Sequence, residues 1–162
     1  MNAGLTVQQL CDAKGFRPKQ LAQFGVHDGT HNGRPGVLIP YMNTDGTTGP
    51  VKARVRLEEP GRFWWPKGKP TMPYGLDRLA GLSADVAIVV VEGETDCWTL
   101  WLNGFAALGI PGASTWKAEY AALLAGRSVY VWQEPGASGE KFVAAITRDL
   151  PDARVIRGTP NA

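Results

Sequence analysis

From residue 84 onward, apolar runs alternate with helical segments, and this alternation limits the possible folds more than any other feature of the sequence. The apolar runs are "DVAIVVVEG", "FAALGI", "SVYVWQE" and "ARVIRG". Between them lie "ETDCWTLWLNG", "STWKAEYAALLAG" and "SGEKFVAAITRDLP", which have helical patterns. Strands separated by helices of about 10–13 residues are typical of βαβ units, whose strands are parallel and buried on both faces. We predict an α/β fold over residues 83–162, a parallel sheet flanked by helices, with the second helix capped by Ser114 and ended by Gly126.

Residues 1–82 have a different pattern, which predicts a small basic α+β subdomain. Two short helices are expected at 5–16 and 18–26, with Thr6 as the cap of the first and Gly15 at its end. A glycine-rich turn (27–36) leads into a hairpin (36–59) whose first arm is 37–42. An extended aromatic loop (61–76) and a helical turn (76–82) follow. In the second arm of the hairpin, apolar and charged residues alternate, so they are expected on opposite faces. The alternating pairs are Val51 and Lys52, Ala53 and Arg54, Val55 and Arg56, and Leu57 and Glu58.

The composition narrows the class of protein without identifying a partner. The chain has 162 residues, 44% of them hydrophobic, and a net charge of +2. Most of its lysines and arginines lie between residues 14 and 69, which fits a basic binding surface. Its two cysteines are far apart and outside any CxxC pair, so neither a disulfide framework nor a zinc finger is expected. Without an apolar run of about 20 residues or a secretory signal, we expect a cytoplasmic protein that does not enter membranes.

Acidic residues stand where two of the predicted strands end. Glu92 follows "VVV", Asp96 comes one helical turn later, and Glu134 ends "VYVWQE". Acids in the first turn of a helix are stabilised by its free N–H groups, which is an alternative explanation for Glu94 and Asp96. It does not explain Glu92, because a carboxylate at the mouth of a sheet needs a positive partner. Mg²⁺ prefers such oxygen ligands, so we predict that Glu92, Asp96 and Glu134 face a metal ion and that Glu94 faces solvent.

The loop "PGASG" after Glu134 has two readings. Small residues before a helix bring main-chain N–H groups close to a phosphate, which makes Ser138 and Gly139 candidate nucleotide-binding residues. An ordinary turn between a strand and a helix has the same composition, and for the glycines alone we favour this explanation.

Basic and aromatic residues of the first half are candidates for nucleic-acid contacts. Lys52, Arg54 and Arg56 share one strand face, and Lys67 follows in the aromatic loop. Lysine and arginine supply most of the sequence-independent affinity for nucleic acid. Stacking on bases is possible for Trp64 and Trp65, but we interpret both as packing residues. Trp98, Trp101 and Trp116 are expected in the core or at an interface, and His27 and His31 on the surface.

These features together resemble the catalytic core of bacterial, phage and plasmid-type DnaG-like primases. "VVVEGETDCW" and "VYVWQEPGASGEKF" resemble the Toprim domain, with "EGETD" matching its EGxxD motif. The segment "GVLIPYMNTDGTTGPVKARVRL" and the later "YGL" resemble the half that precedes Toprim in primases. In the second Toprim motif, DxDxxG, Glu134 matches the first acid, Gly136 replaces the second and Gly139 matches the glycine. The family has a further acidic stretch after the fourth strand, where this sequence ends, so we expect a piece of a longer protein.

The resemblance implies Mg²⁺ (or Mn²⁺)-dependent synthesis of short RNA primers from nucleoside triphosphates on single-stranded DNA. Glu92, Asp96 and Glu134 would be the catalytic and metal-binding acids. Lys52, Arg54, Arg56, Lys67, Ser138 and Gly139 would contact nucleic acid or nucleotide. A replicative helicase, fused or separate, is the expected protein partner. Two alternatives remain: a nucleic-acid-binding module without catalysis, favoured by the missing acid at Gly136, and a Toprim nuclease.

Overall fold

The computed structural model describes residues 4–158, and the chain divides into two compact units between Pro70 and Thr71. The sequence placed this boundary twelve residues later, between residues 82 and 83. The difference arises because the intervening segment packs within the second unit. Tyr74 exchanges two main-chain hydrogen bonds with Gly109, at 2.7 and 3.0 Å, and Leu76 and Leu79 belong to the second unit's hydrophobic core.

Two short helices open the first unit, as predicted, although both are shorter than expected. Helix α1 (Val7–Lys14) begins with a capping box in which Thr6 and Gln9 satisfy each other's main-chain N–H groups. It ends at Gly15, whose φ of 77° is the left-handed conformation that glycine adopts without strain. Helix α2 (Pro18–Ala22) starts with proline in its first turn.

The first unit also contains a four-stranded antiparallel sheet of order β1-β2-β3-β4. Its strands are β1 (His27–His31), β2 (Arg34–Met42), β3 (Thr48–Arg54) and β4 (Phe63–Trp64). The prediction of a turn at 27–36 is wrong, because residues 27–31 pair with β2 as a strand. Asn32 and Gly33 form the connection, with φ of 50° and 72°, which is the Asn-Gly signature of a tight hairpin. The aromatic segment 61–76, predicted as a loop throughout, contains β4.

The buried face of this sheet is not the face that the sequence predicted. Val37, Ile39 and Tyr41 of β2 are at most 1% exposed. The register pairs Ile39 with Lys52 and Val37 with Arg54, so these basic residues lie on the same face and are only 7% and 2% exposed. The alternation was predicted correctly, but Lys52 and Arg54, which were candidates for contacts with nucleic acid, lie on the buried face.

The second unit is a four-stranded parallel sheet flanked by helices, which confirms the predicted α/β fold class. Its strands are β5 (Ile88–Glu92), β6 (Ala107–Ile110), β7 (Val129–Gln133) and β8 (Arg154–Arg157), in the order β6-β5-β7-β8. The helices are α3 (Leu76–Ala80), α4 (Glu94–Leu102) and α5 (Ala137–Asp149). Among residues 4–158, no helix is both long and apolar enough to cross a membrane.

The predicted second helix of this unit is a shorter 3₁₀ helix, Ala118–Leu124. It begins after Lys117, and Ser114 does not cap it. Residues 112–116 form a separate turn, because the Thr115 hydroxyl donates to the carbonyl of Gly112 and the Trp116 indole donates to Asp149 of α5, at 3.0 and 2.8 Å. These contacts hold the chain away from a helical path until residue 118.

The core of the second unit fills one face of the parallel sheet. It combines residues of the strands with residues of α3, the 3₁₀ helix and α5. Helix α4 packs closely on β6, since a Cβ at Gly109 would lie 2.9 Å from the Cys97 sulfur. The buried core comprises Leu76, Leu79, Ile88, Val90, Leu108, Ile110, Trp116, Tyr120, Leu124, Val129, Val131, Phe142 and Ile146.

Candidate active site

Glu92 and Glu134 stand at the carboxyl ends of neighbouring parallel strands. Glu92 is the last residue of β5, and Glu134 directly follows β7. The two strands pair with Val90 opposite Val131, and two more residues in that register bring Glu92 level with Gln133. The fold therefore brings both acids to one edge of the sheet, the edge where parallel α/β proteins bind their ligands.

The two acids are followed by glycines with the same unusual conformation. Gly93 has φ 86° and ψ −176°, and Gly136 has φ 94° and ψ 177°; each is the residue before a helix begins. Only glycine adopts this region readily. At Gly136 a Cβ would meet nothing within 4 Å, so the backbone conformation, rather than lack of space, disfavours the second acid of the DxDxxG motif.

The structure buries Glu94, which the sequence interpretation did not foresee. Glu94 was expected to face solvent, but it is only 3% exposed, whereas Glu92 and Asp96 are partly exposed. It occupies the first position of the buried stripe of α4, which continues with Cys97 and Trp98. This i, i+3, i+4 spacing is the signal that identifies the buried side of a helix. The burial of Glu94 could therefore have been predicted from the sequence by this spacing.

A buried layer lies directly beneath the start of α4. The Trp98 indole donates to the Tyr74 hydroxyl at 2.8 Å. Burial raises the pKa of the Tyr74 hydroxyl, so it stays protonated. Burial also raises the pKa of the Cys97 thiol well above its usual value, and the neighbouring Glu94 and Asp96 carboxylates raise it further. Cys97 is therefore a packing residue and not a nucleophile.

The carboxylates of Glu92, Asp96 and Glu134 are the type of ligand that Mg²⁺ prefers, although they do not form a preformed metal site. Within residues 4–158, no group of three or more His, Cys, Asp or Glu side chains is arranged to hold a metal. Glu92, Asp96 and Glu134 thus do not meet as a complete ligand set. Mg²⁺ usually retains several waters and needs only one or two carboxylates together with substrate phosphates. Glu92, with one buried carboxylate oxygen at the sheet edge, fits that simpler arrangement.

Ser138 and Gly139, the candidate nucleotide-binding residues, lie in the first turn of α5. Gly139 is buried, and a Cβ there would overlap the carbonyl oxygen of Glu134. The absence of a side chain therefore lets α5 pack directly on the end of β7. Ser138 is exposed, and together with Ser114 and Lys141 it lines a surface cavity of about 480 Å³.

The four candidate basic residues divide into two buried and two exposed side chains. The ammonium of Lys52 lies 3.9 Å from the centroid of the Phe63 ring. Arg54 donates hydrogen bonds to the carbonyls of Arg56 and Leu57, at 3.1 and 3.0 Å, and so fixes the chain that leaves β3. Arg56 and Lys67 are exposed.

Five tryptophans were interpreted as packing residues, namely Trp64, Trp65, Trp98, Trp101 and Trp116, and most of them are. Trp65 packs edge-on against Tyr41 and donates to the carbonyl of Lys69 at 2.9 Å. Trp98 and Trp116 are buried. Trp64 contradicts the prediction, since 47% of it is exposed.

Comparison with known proteins connects this arrangement to phage proteins and primases. No family model matches the chain. The Gene 57 protein of Mycobacterium phage D29 is 32% identical over 126 residues, which cover 74% of this chain and 81% of that protein. The primase fragment of the bacteriophage T7 primase-helicase protein has a TM-score of 0.72 at 19% identity, over 91% of this chain and 62% of the fragment. A DnaG primase catalytic domain bound to ssDNA has a TM-score of 0.71 at 18% identity, over 96% of this chain and 66% of that domain.

The sequence match shows a family relationship, and the structural matches show the fold. At 18–19% identity, the structural matches show the fold alone. The chain spans about three fifths of the length of the T7 primase fragment. The structural matches confirm that the chain resembles Toprim-containing primase cores in its fold. The chain belongs to the family of the Gene 57 protein of Mycobacterium phage D29, and it has the fold of DnaG-type primase catalytic cores.

Proposed function

We propose that this chain is the catalytic core of a primase-type nucleotidyltransferase, which joins ribonucleotides into short primers on single-stranded DNA. The observation that carries the proposal is the position of Glu92 and Glu134 at the ends of adjacent parallel strands. This pair lies in a unit that has the fold of primase cores. The phage origin of the relative fits replication of a mobile element.

In this proposal, Glu92 would hold Mg²⁺ or Mn²⁺ together with waters and substrate phosphates, and Asp96 and Glu134 would be the additional acids of the site. The bound ion would neutralise charge on the triphosphate. Glu94 and the layer beneath it hold the first turn of α4 in place, which keeps Asp96 near Glu92.

The basic residues have separate roles in the same proposal. Arg56 and Lys67 are exposed and would contact the template backbone. Lys52 and Arg54 are buried on the ring of Phe63, so they would add positive potential beneath the nucleic-acid surface without contacting the strand directly. Ser138 would contribute a hydrogen bond to a phosphate at the start of α5.

We further propose the partners of this core from its structural relatives. One relative is a fragment of a primase-helicase, and another is bound to ssDNA. Single-stranded DNA, nucleoside triphosphates and a helicase, fused or separate, are therefore the partners to test. A replication enzyme of this kind would act in the cytoplasm, which is where we propose that the protein is found.

The proposal is tested by incubating the protein with single-stranded DNA, Mg²⁺ and labelled nucleoside triphosphates. Short labelled RNA is the expected product, and Glu92→Gln should reduce its rate at least a hundredfold, about the loss that accompanies removal of a group acting on transition-state charge. Asp152→Asn is the matched control, because Asp152 is an exposed acid near the start of β8, at the opposite edge of the sheet. Equal rates for wild type and Glu92→Gln would sink the catalytic assignment.

One observation favours a second candidate, a nucleic-acid-binding module without catalysis. Gly136 replaces an acid of the motif, and residues 4–158 contain no preformed three-ligand metal group. Titration of Mg²⁺ by calorimetry, with template and nucleotide present, separates the candidates. If the wild type binds Mg²⁺ with a measurable heat and Glu92→Gln does not, catalysis is supported. If the wild type itself shows no heat of binding, the binding module is supported. Shortened template in the priming reaction would instead indicate a Toprim nuclease.

A further inference from the structure

The sheet of the first unit has a second face, opposite the buried one, that is only partly covered. On this face β2 presents Leu38 and β3 presents Val51, both of which are partly exposed. Val55 continues the row beyond β3 and is also partly exposed. Pro40 and Ala53 on the same face are buried, so the apolar middle of the face is accessible only in part, at Leu38, Val51 and Val55.

An aromatic pair lies on this face. The register pairs Trp64 with Ala53 and Ala53 with Leu38, which places Trp64 on the Leu38 side of the sheet. Its ring stacks on His31, with centroids 5.3 Å apart and planes inclined by 32°. His31 covers part of the indole, and 47% of Trp64 nevertheless remains exposed. The contact fixes the position of the ring, so a flat, held aromatic surface faces solvent.

The positive charge beside the aromatic pair comes from Arg34, because the charge of Arg62 is offset by Glu59. Arg34 is exposed and lies directly opposite His31 in the strand register, so both side chains project to the same face. Arg62, two residues before Trp64, carries an ion pair with Glu59 at 2.7 Å. Asp28 projects to the other face, where it accepts a hydrogen bond from the main chain of Val7 at 2.6 Å.

The strand residues of this face include no carboxylate among those that the structure describes. The strand residues of this face run from His27 of β1 through Leu38 and Ala53 to Trp64 of β4. The carboxylate of Glu59, which lies outside the strands, pairs with Arg62. Exposed aromatic rings interleaved with basic residues and lacking acids complement a polyanion whose bases are unpaired. Inside a duplex the faces of the bases are covered by neighbouring bases, so a single strand fits this surface better than a duplex does.

We propose that Trp64 and His31 form a stacking platform for an unpaired base of single-stranded nucleic acid, and that Arg34 contacts the adjoining phosphate. The inference rests on the proposed function in so far as this nucleic acid is the primase template. It adds a contact through the bases to the backbone contacts of Arg56 and Lys67. Stacking tolerates every base, so the platform would hold the strand without selecting its sequence.

The test is equilibrium binding of a labelled oligothymidine to the full chain without Mg²⁺ or nucleotide. Trp64→Ala should weaken binding by about five- to a hundredfold, the range found when one base loses its aromatic partner. Trp64→Phe keeps a ring and should lie within a few-fold of wild type. Phe105→Ala is the control, since Phe105 is an aromatic residue of the second unit that is 59% exposed and should change nothing. Circular dichroism verifies that each variant is folded.

An oligomer with abasic sites provides a second measurement that does not depend on the stability of a variant. It retains the phosphates and lacks the bases. Wild type should bind it more weakly than oligothymidine, and Trp64→Ala should bind both oligomers equally. If Trp64→Ala binds oligothymidine as tightly as wild type, or if the abasic oligomer costs nothing, the platform is overturned.

Two further outcomes separate this inference from its alternatives. Primer synthesis by wild type, with unchanged oligonucleotide binding by Trp64→Ala, overturns the platform and leaves the proposed function intact. A concentration-dependent dimer that Trp64→Ala abolishes, again with unchanged oligonucleotide binding, would assign the face to a second copy of this chain and also overturn the proposal.

Discussion

At the scale of single residues, Gly136 shows how a motif and a backbone conformation are linked. The DxDxxG motif of the Toprim family has an acid at this position. In this chain the residue starts a helix at φ 94° and ψ 177°, a conformation that costs roughly 1–3 kcal/mol for a residue with a side chain. The backbone conformation at residue 136 therefore explains why glycine stands there in place of the acid.

Restoring the acid should consequently destabilise the protein. We expect Gly136→Asp to lower the free energy of unfolding by about 1–3 kcal/mol. Ala137→Asp is the matched control, because Ala137 begins α5 and an acid in the first turn of a helix is neutral or mildly favourable. Urea denaturation of both variants provides the comparison. Equal stabilities would show that the positive φ at residue 136 is not what excludes the acid.

Gly139 leads to a second prediction at this scale. A Cβ at this position would overlap the carbonyl oxygen of Glu134, so Gly139→Ala must displace α5 from the end of β7. Overpacking of this kind costs about 1–3 kcal/mol, and the melting temperature should fall accordingly. Ser138→Ala, an exposed change in the same helical turn, is the control and should leave it nearly unchanged.

The sequence could predict which acids gather at the sheet edge, but it predicted the wrong solvent exposure for one of them. Glu92 and Glu134 followed from strand ends, which are strong signals in a βαβ pattern. Glu94 was assigned to solvent because acids favour the first turn of a helix. Tertiary packing overrides that preference, since Glu94 shares the buried side of α4 with Cys97 and Trp98.

At the scale of secondary-structure elements, a contact between Trp116 and Asp149 links the turn before the 3₁₀ helix to the end of α5. The hydrogen bonds from Arg148, and then the one from Trp116, lower the pKa of Asp149 to about 2. A group whose pKa is lower in the folded state adds stability above its unfolded pKa of about 3.9. That contribution disappears as the pH falls toward 2.

Asp149→Asn should therefore reveal a stability difference that depends on pH. The urea midpoint of the variant should lie below that of wild type at pH 6, and the two should converge as the pH approaches 2. Asparagine retains an oxygen acceptor for Trp116 and lacks the charge. The part of the difference in urea midpoint that disappears at low pH therefore measures the contribution of the charge. Asp152→Asn alters an exposed acid outside this contact and serves as the control. A constant gap from pH 6 to pH 2 would contradict the assignment.

Elements with strong periodic signals were predictable from the sequence, and those shaped by particular side-chain contacts were not. The four parallel strands and helices α4 and α5 followed from period and length. The 3₁₀ helix was missed because its start depends on Trp116 reaching Asp149, thirty-three residues away. The orientation of β3 was missed because Lys52 and Arg54 reach the ring of Phe63, a contact that alternation alone does not reveal.

At the scale of the whole molecule, the two units carry opposite net charge. Residues 1–70 contain ten Lys or Arg against five Asp or Glu, and residues 71–162 contain seven against ten. The small total of +2 conceals this division. A positive unit favours contact with a polyanion, and an acidic unit favours a cation, which is the distribution that a template-bound, metal-dependent enzyme needs.

For the proposed binding of single-stranded DNA, the division predicts that the salt dependence arises in the first unit. For single strands, the logarithm of the binding constant falls with the logarithm of the salt concentration by about 0.7 for each phosphate neutralised. The double variant Arg56→Ala, Lys67→Ala removes two exposed charges of the positive unit, so its slope should be shallower by about 1.4. Arg148→Ala removes an exposed charge of the acidic unit and should leave the slope unchanged. Fluorescence anisotropy of a labelled oligonucleotide between 50 and about 300 mM salt measures both slopes. If the slope became shallower in Arg148→Ala and stayed unchanged in the double variant, the contacts with single-stranded DNA would be assigned to the second unit instead.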